Sequence, residues 1–242
     1  MSKAPPGDDM AGWLALHDLT VADCLALLDA HSPPAGSGAK DALLVPALSA
    51  MDAWDRVTEA VAAIVPDAAA RVRQQANVCF DPPLQRAFTL HDTGENGVPL
   101  VACPWTGRAR DLLTLAHEFG HATQIMASRP GMALPPVLRE TCAFLAEAAL
   151  VDRIENEPES YRLAPVLRRL WQADTQRFLG FQARSLRKAL PLPFAAYDYD
   201  WNYPVARALA LGLWQSAPDT IPSLFEGRLS VSETLVQIAI KG

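Results

Sequence analysis

Apolar residues recur at spacings of three and four positions over most of the sequence, which is the pattern of amphipathic helices packed against one another. Alanine and leucine dominate the composition. Hydrophobic residues make up 50% of the 242 positions and charged residues 20%, so the composition is neither that of a disordered chain nor that of a fibrous one. A chain of this length can bury a sizeable core. The sequence therefore predicts a mainly α, globular protein.

Clusters of proline, glycine and polar residues interrupt the helical pattern and separate the predicted helices. The longest cluster, residues 31–38, has the composition of a loop or linker. Thr106 is a residue type that commonly caps helices, and it is expected to cap the helix that follows it. The predicted helices span residues 14–30, 41–64, 67–78, 108–128, 137–157, 161–190 and 204–215.

The pattern changes between Phe88 and Cys103. Two short apolar runs, residues 88–90 and 98–102, flank a segment whose glycines and asparagine can adopt positive φ. This arrangement predicts a β-hairpin in an otherwise helical chain.

The charge and cysteine content limit the classes of partner. The net charge is −6, and lysine and arginine are scattered among acids, which disfavours nucleic acid as a partner. No uncharged stretch approaches the ~20 residues of a membrane-spanning helix, and the amino terminus lacks the apolar run of a secretory signal. The four cysteines are far apart, as expected of buried thiols in a reducing compartment. We therefore expect a cytoplasmic protein with neither a nucleic-acid nor a membrane partner.

The predicted helix over 108–128 contains the pentapeptide His117-Glu118-Phe119-Gly120-His121. Histidines at positions i and i+4 lie one turn apart on one face of a helix, so both rings can bind one metal ion. Glu118 is about 100° around the helix from His117, where its carboxylate can act on a water at the metal instead of binding the metal. The pattern predicts half of a zinc site, with Glu118 as the general base.

A catalytic zinc ion usually has three protein ligands and one open position, so a third donor is needed. Glu140 and Glu147 are seven residues apart on one face of the next predicted helix, which is otherwise apolar. A buried carboxylate is costly unless it has a partner, and zinc and its histidine ligands are such partners. We expect Glu140 to be the third ligand and Glu147 to orient a ligand histidine. The alternative is that both are surface acids beside Arg139 and Arg153.

Three segments in this order resemble the thimet oligopeptidase and oligoendopeptidase F family of zinc metallopeptidases. The resemblance covers roughly residues 86–215 and includes the family's two zinc signatures and a tyrosine-rich motif. The matching residues are Arg86-Ala87-Phe88, the hairpin ending in Pro99, Trp105-Thr106-Gly107, Asp111-Leu112-Leu113-Thr114-Leu115-Ala116-His117-Glu118-Phe119-Gly120-His121-Ala122, Arg139-Glu140-Thr141 with Leu145 and Glu147, and Tyr199-Asp200-Trp201-Asn202-Tyr203-Pro204.

The resemblance implies a fold, a cofactor and roles for the site residues. It implies a mainly α, zincin-like helical catalytic core with a small β-hairpin or sheet beside the zinc cleft. Residues 86–215 would form the zinc core of a single domain over 1–242, and residues 1–85 its helical N-terminal part. The first glutamate of the second signature, here Glu140, is the family's third zinc ligand. The family's tyrosines donate hydrogen bonds to the oxyanion, a role that falls to Tyr203 or Tyr199, with Tyr197 as a further candidate.

The sequence departs from the family in two ways. Only about 85 residues precede the match, where family members have a large helical region that covers a channel, and no histidine follows the zinc signature. The site is therefore expected to be accessible, so that either a second copy of the chain or a restricted substrate covers it.

The function expected from the sequence is zinc-dependent hydrolysis of peptide bonds in an oligopeptide or a restricted protein segment. Two alternatives remain open. One is a zinc-dependent amidohydrolase that acts on a small molecule in a biosynthetic pathway. The other is a metal-binding interaction protein with weak catalytic activity.

Overall fold

The structure, a computed structural model, describes residues 8–31, 48–91, 98–129 and 132–239. It is mainly α-helical with one small sheet, as the sequence predicts. The α-helices are α1 (Met10–His17), α2 (Val21–Ala30), α3 (Ala50–Ala62), α4 (Pro66–Gln75), α5 (Ala109–Ala127), α6 (Pro136–Asn156), α7 (Ala164–Gln176), α8 (Ala183–Ala189), α9 (Asn202–Ser216), α10 (Ile221–Phe225) and α11 (Val231–Ala239).

The sheet has three strands in the order β1-β3-β2, formed by β1 (Asn77–Cys79), β2 (Phe88–His91) and β3 (Pro99–Ala102). β2 and β3 pair antiparallel, with Thr89 opposite Val101, which confirms the predicted hairpin strands. The predicted turn between them lies outside the described residues. β1 pairs parallel to the other side of β3, so β2 is an edge strand of this sheet.

Helix α6 lies between α5 and α9 and contributes to two hydrophobic clusters. Its first half supplies Leu138, Phe144 and Leu145 to a cluster that also contains α1, α2 and α9. Its second half supplies Leu150 and Ile154 to a cluster with α3, α4, α5 and the sheet. A helix that is apolar on nearly all sides is expected at such a central position.

The N-terminal part differs from the predicted helices. The predicted helix over 14–30 is two helices, because Asp18 adopts the left-handed conformation with φ of 51° and ends α1. The predicted helix over 41–64 corresponds to α3, which begins after a capping box formed by Ser49 and Asp52; residues 41–47 lie outside the described chain. The predicted helix over 67–78 ends early, and β1 occupies its last residues.

The prediction for Thr106 is also wrong, because Arg108 occupies the N-cap position of α5. The Asp111 carboxylate accepts hydrogen bonds from the backbone N–H of Thr106 at 2.7 Å, from its hydroxyl at 2.8 Å and from the backbone N–H of Arg108 at 3.0 Å. Asp111 therefore holds the chain that enters the helix.

The predicted helix over 161–190 begins three residues later and contains a π-helical turn, Arg177–Gln182, between α7 and α8. Two C-terminal helices, α10 and α11, follow where the sequence analysis predicts none. No single helix in the described ranges is long and apolar enough to cross a membrane; α1 and α2 pass that test of length and composition only as a pair, across a 75° bend.

Helices α5 and α6 are in close contact at Gly120, and replacement of this glycine tests that packing. A Cβ atom added there would lie 2.7 Å from Ala143 Cα and 2.9 Å from Ala146 Cβ, so the helices would have to move apart. We expect Gly120→Ala to lower the free energy of unfolding by about 1–3 kcal/mol, measured by urea denaturation. Gly180→Ala is the control, because its added Cβ meets no atom closer than 3.9 Å. Equal stability of the two variants would contradict the close packing.

Candidate metal centre

Helices α5 and α6 bring His117, His121 and Glu140 together. Each offers one ligand atom, and these three atoms all lie within 4.8 Å of one another. Glu140 Oε2 is 3.3 Å from His117 Nε2 and 3.7 Å from His121 Nε2. Ligands of a tetrahedral zinc ion, with bonds of ~2.0–2.1 Å, are separated by about 3.3 Å. The three side chains therefore have a spacing that suits one metal ion.

Glu140 carries the clearest sign of an additional ligand. The residue is 4% exposed, and its Oε2 makes no hydrogen bond with any residue that the structure describes. A buried carboxylate oxygen without a hydrogen bond is costly unless a cation compensates it. Two imidazoles and a carboxylate are also the donor set of known catalytic zinc sites. The residues present therefore fit a metal ion.

The protonation states of two ligands also suit metal binding. Burial disfavours the charged form of Glu140, but its interactions with His117 and His121 outweigh burial and lower its pKa to about 2. Burial and the charge of His117 lower the pKa of His121 to about 4. At neutral pH Glu140 is thus ionised and His121 neutral, which are the forms that bind metals.

Glu147 holds the other side of the His117 ring. Its Oε1 is 2.8 Å from His117 Nδ1, and its Oε2 accepts a hydrogen bond of 2.8 Å from Arg207 Nη1. A carboxylate at Nδ1 fixes the ring orientation and directs Nε2 toward the other ligands. Glu147 thus contacts His117, and its predicted role in orienting a ligand histidine stays a prediction.

Arg207 is fully buried on α9, and the sequence analysis did not identify it. Besides Glu147, its guanidinium donates to Thr175 Oγ1 and to the backbone carbonyl of Trp171, and it lies 4.1 Å from the centre of a Trp171 ring. The guanidinium compensates the buried charge of Glu147 and is itself well satisfied. The arginine therefore fixes the carboxylate that orients His117.

Glu118 points to the sheet. The Thr89 hydroxyl, on edge strand β2, donates a 2.8 Å hydrogen bond to Glu118 Oε2 and also lies 2.9 Å from the Glu118 backbone oxygen. Burial raises the pKa of Glu118, while the charge of His117 and the Thr89 hydrogen bond oppose that shift. Glu118 therefore lies beside the ligand set without belonging to it, and Thr89 is a second contact that the sequence analysis missed.

The three candidate tyrosines have different surroundings. Tyr199 donates a 2.6 Å hydrogen bond to Glu140 Oε1, and the Tyr197 hydroxyl accepts one from Asn202. The Tyr203 hydroxyl makes no hydrogen bond with the described residues, and its ring stacks on Phe178 at 5.4 Å. Burial, together with the charge of Glu140, raises the pKa of Tyr203 to about 12 and raises that of Tyr199 further. Both hydroxyls are thus protonated donors at neutral pH.

The fold is similar to that of one solved structure, the crystal structure of a "putative peptidase" from Chlamydophila abortus. The TM-score is 0.55 and the sequence identity is 13%, so the likeness is one of fold. The match covers 95% of this chain and 56% of the other, so the chain spans little more than half the length of that protein. No family model and no curated protein matches the sequence.

The contact between Glu147 and Arg207 can be tested by its contribution to stability. Arg207→Met removes the guanidinium partner of a buried carboxylate, so we expect the free energy of unfolding to fall by about 3–5 kcal/mol. The control is Arg187→Met, which removes a more exposed ion pair with Asp29 and should cost less than about 1 kcal/mol. Urea denaturation of both variants gives the comparison. A cost below that of the control would mean that Glu147 does not depend on Arg207.

Proposed function

We propose that this protein is a zinc-dependent peptidase in which His117, His121 and Glu140 hold the metal ion and Glu118 is the general base. The observation that carries the proposal is the convergence of three ligand atoms, one of them a buried oxygen without a hydrogen bond, beside a second carboxylate, Glu118, that is outside the ligand set. The similarity of fold to the Chlamydophila abortus protein is consistent with peptidase chemistry.

A zinc ion bound by these residues would supply Lewis acidity to a water molecule and to the carbonyl oxygen of the scissile bond. Glu118 accepts a proton from the attacking water and returns it to the leaving amine. Its burial supports this role, because a carboxylate with a raised pKa both takes up and releases a proton more readily near neutral pH. Thr89 keeps the Glu118 side chain oriented between these steps.

The two tyrosines near the ligands have separate roles in this proposal. Tyr199 is a positioning residue: its hydrogen bond to Glu140 Oε1 leaves Oε2 for the metal. Tyr203 donates to the developing oxyanion, because its hydroxyl has no hydrogen bond with a described protein group and is protonated at neutral pH.

Strand β2 offers a way to bind an extended peptide. It is an edge strand, so its outer backbone groups can form β-type hydrogen bonds with another chain. Thr89 joins this strand directly to Glu118, so a peptide paired to β2 passes beside the general base. An extended peptide can pair with this edge, whereas a compact small molecule cannot. The edge strand therefore favours a peptide substrate.

Metal binding is tested first, because the other steps depend on it. We expect chelator-treated protein to bind one zinc ion per chain, and Glu140→Ala to weaken that affinity by more than about 100-fold, since it removes a direct ligand. Isothermal titration calorimetry with zinc chloride measures both. The control is Glu155→Ala, because Glu155 pairs with Arg168 away from the ligands. Unchanged affinity in Glu140→Ala would exclude this ligand set.

Turnover is tested with a library of quenched-fluorescent peptides. Glu118→Gln is close in shape but cannot accept the proton, so turnover should fall by about 10²–10⁴-fold while zinc affinity stays within a few-fold. The exposed residue Glu159 provides the control variant, Glu159→Gln, which should keep full activity. Chelation should abolish hydrolysis by the parent protein, and its persistence would contradict a metal-dependent mechanism.

Because the two tyrosines have different proposed roles, replacing one should lower turnover and replacing the other should weaken zinc binding. Tyr203→Phe should lower turnover by about 10²–10³-fold with little change in zinc affinity. Tyr199→Phe should weaken zinc binding by about 10–100-fold, because it removes a hydrogen bond from a ligand. Turnover and zinc affinity are measured for both variants. The control is Tyr161→Phe, because Tyr161 is 68% exposed. If Tyr203→Phe weakened zinc binding and Tyr199→Phe lowered turnover, the two proposed roles would have to be exchanged.

A further inference from the structure

A cavity of about 460 Å³ borders the metal centre on the side of α7. Its walls include His117 and Glu147 from the centre, Arg110 and Thr114 from α5, and Asp174 and Arg177 from the helical stretch that contains the π-helical turn. This volume can hold a side chain and part of a neighbouring residue. It is large enough for a subsite of an oligopeptide.

The cavity walls carry two arginines and two carboxylates, and these four charges differ in their pairing. Glu147 is paired with Arg207, which does not line the cavity, and Asp174 forms an ion pair with Arg110. Arg177 has no ion pair with any described residue, and its guanidinium lies over the ring of its neighbour Phe178, at 5.4 Å.

Arg177 is therefore the arginine on these walls that has no ionic partner among the described residues, and a hydroxyl without a hydrogen bond accompanies it. The hydroxyl of Thr114, a wall residue from α5, makes no hydrogen bond with the described residues. A guanidinium and a hydroxyl facing one space are donors that suit a carboxylate.

The local backbone places this charge close to the proposed chemistry. Arg177 is the first residue of the π-helical turn Arg177–Gln182, and such turns are frequent at functional sites. The next residue, Phe178, stacks on Tyr203, the proposed oxyanion donor. Arg177 and Tyr203 thus contact the same aromatic ring.

We propose that this cavity is a substrate subsite in which Arg177 binds a carboxylate of the peptide. The carboxylate is either an acidic side chain near the scissile bond or the free C-terminus of a short peptide. The inference names the substrate class of the proposed peptidase and rests on that function: oligopeptides with a negative charge close to the cleavage point.

The test measures binding and hydrolysis separately. Binding is measured by fluorescence anisotropy on the zinc-loaded full chain carrying Glu118→Gln. The probes are fluorescein-labelled hexapeptides in matched sets, with Glu or Gln at each position in turn and with a C-terminal carboxylate or amide. The Glu and Gln peptides report on an acidic side chain, and the carboxylate and amide peptides report on the C-terminus.

We expect the preferred acidic peptide to bind about tenfold more tightly than its neutral twin, and Arg177→Gln to reduce that ratio to about one or two. Arg177→Lys should keep part of the preference, and added salt should weaken it. Arg169→Gln is the control, because Arg169 is exposed on the same helical stretch but does not line the cavity. A ratio that is unchanged in Arg177→Gln, or equal or undetectable binding of both twins to the parent, overturns the proposal.

Hydrolysis of the same peptides by the chain with Glu118 intact separates the two proposals. Cleavage of acidic and neutral twins at equal kcat/KM would support the peptidase function and contradict the proposed subsite. If acidic peptides bound more tightly in an Arg177-dependent way but no peptide were cleaved, the result would support the subsite and contradict the peptidase function.

Discussion

The close contact of α5 with α6 is the constraint on which the candidate metal centre depends. The histidines are on one of these helices and Glu140 on the other, so the distance between the helix axes sets the distance between the ligands. Gly120, inside the histidine motif, allows that distance because the backbone at Ala143 occupies the space of a Cβ atom. The glycine thus serves the site through packing, although it has no side chain to offer.

A second constraint is the number of buried charges. Four charged side chains, those of Glu118, Glu140, Glu147 and Arg207, are buried, and a buried charge is tolerated only if it has partners. The partners form a continuous series from Arg207 through Glu147 to His117, and from there to Glu140. Removing one member takes a partner from its neighbour, so the series supports the geometry of the candidate ligands as well as their charge.

The sequence predicts the parts of the site that local periodicity determines. His117 and His121 share a face because the helix repeats every 3.6 residues, and two acids on an apolar face indicate that α6 is buried against something charged. Contacts between segments distant in sequence carry no such signal. Thr89 and Arg207 are 29 and 60 residues away from the glutamates they bind, and only the packed structure brings them together.

The fold shows the same difference between features set by local periodicity and features set by contacts between distant segments. The long central helices were predicted to within a residue or two, whereas the elements that depend on neighbours were not. β1 is three residues long, and it is a strand because β3 lies beside it. The break at Asp18 requires a left-handed residue that its sequence context does not demand. The π-helical turn likewise leaves the ordinary helical period on both sides unchanged, so the pattern does not reveal it.

Helix α6 belongs to both hydrophobic clusters, and the candidate ligands are divided between them. The histidines are on α5, whose apolar face lies in one cluster, whereas Glu140 is next to Leu138 and Cys142 in the other. An ion bound by all three residues crosslinks the two halves of the interior. Because such an ion would bind the folded chain and not the unfolded one, its binding would add to the free energy of unfolding by mass action. The concentration of the metal in the surroundings would then change the stability of the folded protein, apart from any reaction it carries out.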